Sequence, residues 1–572
     1  MFSLKNRNLR ALFEPTLRWG APILSLMLAC SLCDPSHLGV WEDDIIYLEL
    51  AESLAQGGGM SVPSLIHEPV VTKYPPLFPC LMAVPLGVTG TAGTATGVWI
   101  LFLFQSLIFA GIVFLIVNRL GPAWGLSPLG RLLVWLLYAG NFLVLSSTLC
   151  LLSEGLMTLL MLALIDRILG EGDSKKEPAR WNWIWVLLLA SALCLTRSVG
   201  LILVLVLTFW YWWKNNRLIA SGLGVGMVLA VILQFLIGLW SRWHPARGNP
   251  SETGLMDYYQ GYGYHTGFYV SLLKEEGIGR CVGTLFQVIA HNFLTGLESF
   301  GNLLIPVQFM GNFITEKPVL SGTQSGLLVI VAVTVLILST QGFLKLRHGR
   351  ALIVMILSNF LLLLVWTWPF AGRFWVPLLP LILMGLVSRC LGGKRIAHML
   401  LAGILSGSLV LNGLLVLERA GEQTADPLPE SHDQSKEARV VRSFMGQQDW
   451  LKKNLKGVRG DILLGGLITL GKAREFGVQG AWVEALMESR CFLGRVLKLH
   501  REGYSPACLR DLRQRLQKLA SQQPPGARLF IQMDPTLSPA MRRSLRGMVE
   551  EGSLQVVYRS EDGGFDVFEC NL

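Results

Sequence analysis

The chain has 572 residues, 52% of them hydrophobic and only 15% charged, with 18 Trp and a formal net charge of +10. Soluble domains carry about a quarter charged residues, so this composition, with a mean hydropathy of +0.48, excludes an ordinary soluble enzyme. The positive excess reads as loop charge that orients a chain in a bilayer, and no nucleic-acid motif accompanies it.

A helix needs about 20 apolar residues to cross the hydrocarbon. Read for that length, the sequence predicts about eleven spans, near 19–37, 96–117, 132–150, 154–169, 183–196, 198–213, 218–240, 324–343, 351–369, 374–391 and 398–417. Basic clusters at 5–10, 119–131, 175–180, 214–217, 345–350 and 394–395 all fall on one face of that layout. Lys and Arg in short loops mark the cytoplasmic side. The N-terminus is therefore expected in the cytoplasm. The first loop (39–95), the turns at Glu154, Arg197 and Arg373, the long segment 241–323 and everything after 418 are expected outside. The fold class is mainly α: a polytopic membrane protein over 1–418, followed by a small extracytoplasmic α/β domain over 419–572.

The first apolar segment is expected to be a retained anchor rather than a cleaved signal, because membrane spans follow it. Its Cys30 and Cys33 form a CxxC that reads as membrane packing, as do Cys150, Cys194 and Cys390. The next stretch, DDIIYLELAESLAQGGG, predicts a helix from Asp43 that Gly57–Gly59 terminate. Carboxylates at a helix N-terminus satisfy orphan N–H groups and complement the dipole. Capping does not explain why the pair Asp43 and Asp44 stands just outside a span, where lipid exposure is costly. A wet cavity does explain it. In TKYPPLFPCLMAVPL, Pro75 and Pro76 fix an extended turn. The apolar run behind them is too short to span and suits the outer interface. Lys73 would stand beside the headgroups, as a snorkelling lysine or as a partner for phosphate.

Glu154 opens a span in LLSEGL, as a helix cap or as a further carboxylate facing the same cavity. Arg197 is placed at a turn between two helices in LTRSVG, because one straight helix would bury it at mid-membrane at a cost of several kcal/mol. Arg373, in PFAGRFWVPLLP, occupies a similar setting. A single arginine at a membrane end is usually a headgroup anchor. Two arginines and a lysine opposite external carboxylates also fit an anion site. The segment 241–323 carries MDYYQGYGYHTGFY, an aromatic belt or a platform for sugar rings. His67 and His265 are external but lack partners at metal-ligand spacing. The tail holds strand-like runs (DILLGGLITL, ARLFIQMD), a helical pattern in CLRDLRQRLQKLA and a hairpin in LQVVYRSEDGGFDVFEC. Cys491, Cys508 and Cys570 lie there, where an oxidising compartment allows a disulfide. No GxxxxGK[ST], paired CxxC or HExxH appears, so ATP use and zinc proteolysis have no support.

These motifs together resemble the GT-C glycosyltransferases, within them the protein O-mannosyltransferase and aminoarabinose transferase branch. The acidic pair Asp43–Asp44, the Tyr47-x-x-x-Ala51 helix, its glycine stop and the KYPP segment match that branch's first loop. LLSEGL, LTRSVGL and GRFWVPLLPLI match later stretches, and the likeness covers most of 19–417. No WWDYG occurs, which sets the chain apart from oligosaccharyltransferase catalytic subunits.

The resemblance implies transfer of a sugar from a polyprenyl-phosphate carrier to an acceptor hydroxyl on a protein, lipid or glycan. It places that reaction on the external face of the inner (plasma) membrane, with inversion. It makes Asp43 the catalytic base, with Asp44 and Glu154 in support, holding the acceptor or a divalent cation. Lys73, Arg197 and Arg373 would hold the lipid phosphate, and Tyr47 and Tyr74 would line the substrate site. The competing expectations are a transporter or flippase of a lipid-linked or anionic solute, and an O-antigen ligase or polymerase type of enzyme. A transporter would need charges near mid-span and paired half-helices.

The topology is tested by alkaline phosphatase fusions. A fusion at residue 250 is expected to be active and one at residue 177 inactive; the opposite pattern would place the first loop in the cytosol.

Overall fold

The computed structural model describes residues 7–33, 43–62, 70–71, 73–170, 179–242, 263–306, 322–346, 348–365, 372–391, 403, 406–415, 447, 450–451, 453–454, 462–465, 479–482, 528–532, 539–559 and 566–570. It divides into two units, one of Met1–Pro35, Tyr74–Ile237 and Leu272–Gln423, the other of Ser36–Lys73, Gly238–Ser271 and Thr424–Leu572.

Apolar runs bounded by turns make the first unit helical. In chain order it holds α1 (Arg7–Ser31), then α3 (Leu77–Thr89) and α4 (Ala95–Leu115) beyond a helix of the second unit. α5 (Pro128–Ala139), α6 (Phe142–Leu149), α7 (Glu154–Gly170), α8 (Ala179–Thr196), α9 (Ser198–Trp213) and α10 (Arg217–Arg242) follow. α11 (Gly263–Leu304), which belongs to this unit from Leu272 onward, α12 (Gly322–Phe343), α13 (Gly349–Leu364), α14 (Leu379–Leu391) and α15 (Ser406–Leu415) complete the set. Helices therefore form where spans were expected.

Among the described residues, Thr96–Ala123, Arg217–Trp240 and Gln324–Phe343 are each long and apolar enough to cross a membrane. α10 leaves Val228, Ile232, Phe235 and Leu236 exposed, the lipid-facing surface of a membrane helix. α3 begins at Leu77 directly after Pro76, and at 13 residues it is too short to cross.

Backbones approach closely where side chains are small. A Cβ added to Gly342 of α12 would collide with the Gly385 carbonyl of α14, and Ser339 donates to Ile382 O at 2.9 Å beside it. Membrane helices, lacking a hydrophobic drive between them, associate through such contacts.

Two expectations are corrected. The single span over 132–150 is a bent pair, α5 and α6, meeting at 62°. Gly140 ends α5, and Asn141 leaves helical geometry (φ −77, ψ 121) to cap α6, its side chain accepting from Val144 N. The same amide donates to Leu303 O at 2.6 Å, and Phe142 N donates to Asn412 Oδ1 at 2.8 Å. Tertiary hydrogen bonds thus outweigh the continuous apolar pattern. The segment 241–323, expected as a loop, contains the 42-residue α11, broken at Gly277 (φ 82). Its glycines and charges kept it below the span criterion. Its C-terminal half is helical because Asn292, Gly296 and Phe300 pack on the end of α13 and on Trp375. Tyr258, Tyr259, Tyr262 and His67 lie outside the described residues, as do the side chains of Tyr264, His265 and Tyr269.

The second unit contains α2 (Asp43–Ala55) and a five-stranded sheet of order β2-β1-β3-β5-β4. β1 (Ile462–Gly465) runs parallel to β2 (Gln479–Trp482) and β3 (Leu529–Gln532); β5 (Val567–Cys570) is antiparallel to β3 and to β4 (Leu554–Tyr558). α16 (Pro539–Glu550) packs on β4. β1, β3 and the β4–β5 hairpin answer the three strand patterns of the tail, while CLRDLRQRLQKLA, Cys491 and Cys508 lie outside the described residues. Leu451, Phe530 and Val567 form the core beneath Trp450 and Tyr558. Cys570 is a free thiol, pushed up to about 12 by burial and then by the neighbouring Glu569 charge.

Asn141→Ala removes both the α6 cap and the donor to Leu303 O. A loss of about 1–3 kcal/mol is expected, measurable as a lower melting temperature of the detergent-solubilised protein.

Candidate active site

The first loop as far as Lys73 belongs to the second unit. α2 opens on Asp43 and Asp44 and closes on Gly57 (φ 81) and Gly59 (φ 74), conformations that favour glycine. Ser53 Oγ meets Ser61 Oγ at 2.7 Å, and an antiparallel bridge pairs Ser61 with Val70. Val71 N donates to Met60 O at 2.8 Å, which returns the chain along Met60–Val62 to Lys73. On α2, Asp44 is 0% exposed and Tyr47, Glu49 and Glu52 are buried, whereas Asp43 is half-buried. Buried carboxylates need partners, and none of these four acids lacks one. The sequence reading singled out Asp43, Asp44 and Tyr47 and missed Glu49 and Glu52. Their signal was two more acids on a helix already bearing an unexplained pair.

A separate site lies in the first unit. Gln105 Nε2 donates to Leu152 O at 2.7 Å and fixes the turn that ends in Glu154. α7 starts there, with Thr158 Oγ1 bonded back to Glu154 O. Arg197 stands between α8 and α9 in extended conformation (φ −151, ψ 145), so the expected break at LTRSVG is present. Arg373 is carried by the 3-10 turn Gly372–Trp375. Trp375 anchors that turn: its Nε1 donates to Gly296 O at 3.0 Å and its ring lies 4.7 Å from Phe300.

These three elements bring Glu154, Arg197 and Arg373 together. Arg197 Nη1 lies 2.5 Å from Glu154 Oε1, and Arg373 Nε lies 3.9 Å from the same oxygen. Glu154 is 1% exposed, the two arginine side chains 15% and 17%. Neither carboxylate oxygen makes a well-aligned hydrogen bond among the described residues, so Coulomb attraction holds the carboxylate. Arg197 also donates to Ser153 Oγ at 3.3 Å. Both guanidiniums lie over the Phe374 ring, 5.8 Å and 5.5 Å from its centroid. The pocket around them is small, about 10 Å³, with Met157, Val199, Asn359, Leu363, Pro377 and Leu378 completing its wall. Two guanidiniums held by one carboxylate and one ring carry the charge and the donors that an oxyanion would need. Phe374 and Asn359 had no assigned role in the sequence reading. Asn359 announces itself only as a lone amide in the apolar run of α13.

Among the described residues no group of three or more His, Cys, Asp or Glu side chains could hold a metal ion. Glu154, expected to hold the acceptor or a cation, is engaged by arginines instead.

An oligosaccharyltransferase of Archaeoglobus fulgidus, solved with a tethered acceptor peptide, is similar with a TM-score of 0.52 at 10% identity, over 97% of this chain and 74% of that one. The same organism's AglB, solved with an inhibitory peptide and a dolichol-phosphate, gives 0.50 at 12% over the same shares. The chain has the GT-C fold. ArnT from Cupriavidus metallidurans, bound to undecaprenyl phosphate, gives 0.42 at 12% over 97% of both chains. No family model matches the chain, and no curated protein does.

Glu154→Gln is expected to destabilise the protein by about 3 kcal/mol, because two largely buried cations lose their shared anion. In a melting-temperature cycle, Glu154→Gln with Arg197→Gln should cost less than the sum of the two singles.

Proposed function

We propose that this chain is a membrane glycosyltransferase that moves a sugar from a polyprenyl-phosphate carrier to an acceptor hydroxyl on the extracytoplasmic face, with inversion. The observation that carries this reading is the pair of guanidiniums, Arg197 and Arg373, fixed on Glu154 at the ends of membrane helices. Such a pair suits the phosphate of a lipid carrier whose chain lies in the bilayer. The GT-C fold supports it, as does the dolichol-phosphate seen with AglB. Nucleotide sugars are cytoplasmic, so an external donor has to arrive on lipid.

The chemistry is a direct displacement. The acceptor oxygen bonds to the anomeric carbon while the bond from that carbon to the phosphate oxygen breaks, and the electron pair leaves with the phosphate. Preorganised cations stabilise that developing anion, the task assigned to Arg197 and Arg373, with Lys73 at the headgroup. An acceptor hydroxyl is a poor nucleophile until a carboxylate takes its proton. Asp43 suits that task because, unlike Asp44, it retains solvent access at the start of α2. Asp44 supports the N-terminus of the helix, and Tyr47 and Tyr74 line the substrate site. Glu154 acts through the arginines, fixing their separation. The catalytic domain is 1–418, with 419–572 as an accessory external domain.

Asp43→Asn keeps size and capping ability and removes the base. A fall in transfer of about 100- to 10,000-fold is expected. It is checked by mass spectrometry of surface glycans in a deletion strain carrying either form. Full complementation by Asp43→Asn would overturn the assignment.

A further inference from the structure

Asn359 is 3% exposed and belongs to the wall of the arginine pocket. It sits in α13, GRALIVMILSNFLLLL, five residues before the last one, Leu364. At 1.5 Å per residue that is about 7.5 Å down the helix. Glu154, by contrast, stands at the first residue of its helix, and Arg197 at a break between two. Among the described residues no hydrogen bond reaches its side chain, although the neighbouring Ser358 bonds back to Val354 O at 2.7 Å. Asn182 Nδ2 also lacks a partner among the described residues, whereas Asn141 bonds to Leu303 O, Asn292 to Leu363 O and Leu364 O, and Asn412 to Ser408 O. Asn359 differs from those three in bonding to no backbone.

Polar groups inside a membrane helix are retained for function. Among the described residues, Asn359 is also the one uncharged hydrogen-bonding side chain in the wall of that pocket, which is otherwise apolar apart from Glu154 and the two arginines. Its amide offers two donors and adds no charge.

We propose that Asn359 is a ligand-binding residue, donating a hydrogen bond to a phosphoryl oxygen of the lipid phosphate that Arg197 and Arg373 attract. This rests on the proposed function and extends it. The arginines supply the attraction, and the amide fixes which way the phosphate faces, from the apolar side of the pocket. A guanidinium at that depth would cost far more to desolvate than a neutral donor. Loss of the amide therefore weakens the ligand without weakening the apo protein.

The test is binding of farnesyl phosphate, a short polyprenyl phosphate, to the detergent-solubilised full chain by calorimetry, with the melting temperature of each apo form. Asn359→Leu is expected to raise Kd about tenfold or more while leaving the apo melting temperature equal or higher. Wild-type affinity in that variant, or a lower apo melting temperature with affinity unchanged, would overturn the inference and leave the proposed function standing. Should Asn359→Leu fail to fold, Asn359→Ala replaces it with the same expected loss of affinity. If wild type and Arg373→Ala alike fail to bind, the proposed function falls, and this inference with it.

Discussion

One carboxylate organises the first unit's site. Glu154 is out of water, and its Oε1 faces two guanidiniums that would otherwise repel each other. Charges in a low-dielectric setting interact strongly and are costly to leave unpaired. The ion pair therefore fixes the ends of α7 and α9 and the Gly372–Trp375 turn at set distances. The Phe374 ring does the same from the other side, offering its electron-rich face to both cations. Three stretches far apart in sequence become one surface because their charges have nowhere cheaper to go.

The helix ends that present those charges are themselves held by polar groups bonded to backbone. Gln105 holds the Leu152 carbonyl, Asn141 caps α6, Asn292 takes the last carbonyls of α13, and Trp375 reaches Gly296. In an apolar medium, side-chain amides and indoles find few competing partners, so each bond pins a backbone position. In the proposed reaction, preorganisation of this kind would let fixed cations stabilise a leaving phosphate. Asn359 is left out of that network, which is the ground for proposing it as a ligand-binding residue.

Much of this was legible beforehand. The helices α4, α7, α8, α9, α10 and α12 stand where apolar length predicted them, since a run of that length has no other stable state in lipid. The break at Arg197 followed from the cost of burying a guanidinium at mid-membrane. Strands β1 and β3 and the β4–β5 hairpin followed from alternation and turn residues. α11 did not, because its glycines and charges dilute the apolar signal, and the bend at Asn141 did not, because the residues that hold it, Leu303 and Asn412, are remote in sequence.

The sequence by itself determined the chemistry available: which segments are apolar, which carboxylates and cations flank them, and that Asp43, Asp44, Glu154, Arg197 and Arg373 are unusual where they stand. Only the tertiary structure decided that Glu154 pairs with the arginines and that Asn359 shares their pocket. Apolar length is a local property, felt by each helix alone. Partnership between charges depends on which helix ends meet, and packing between helices sets that.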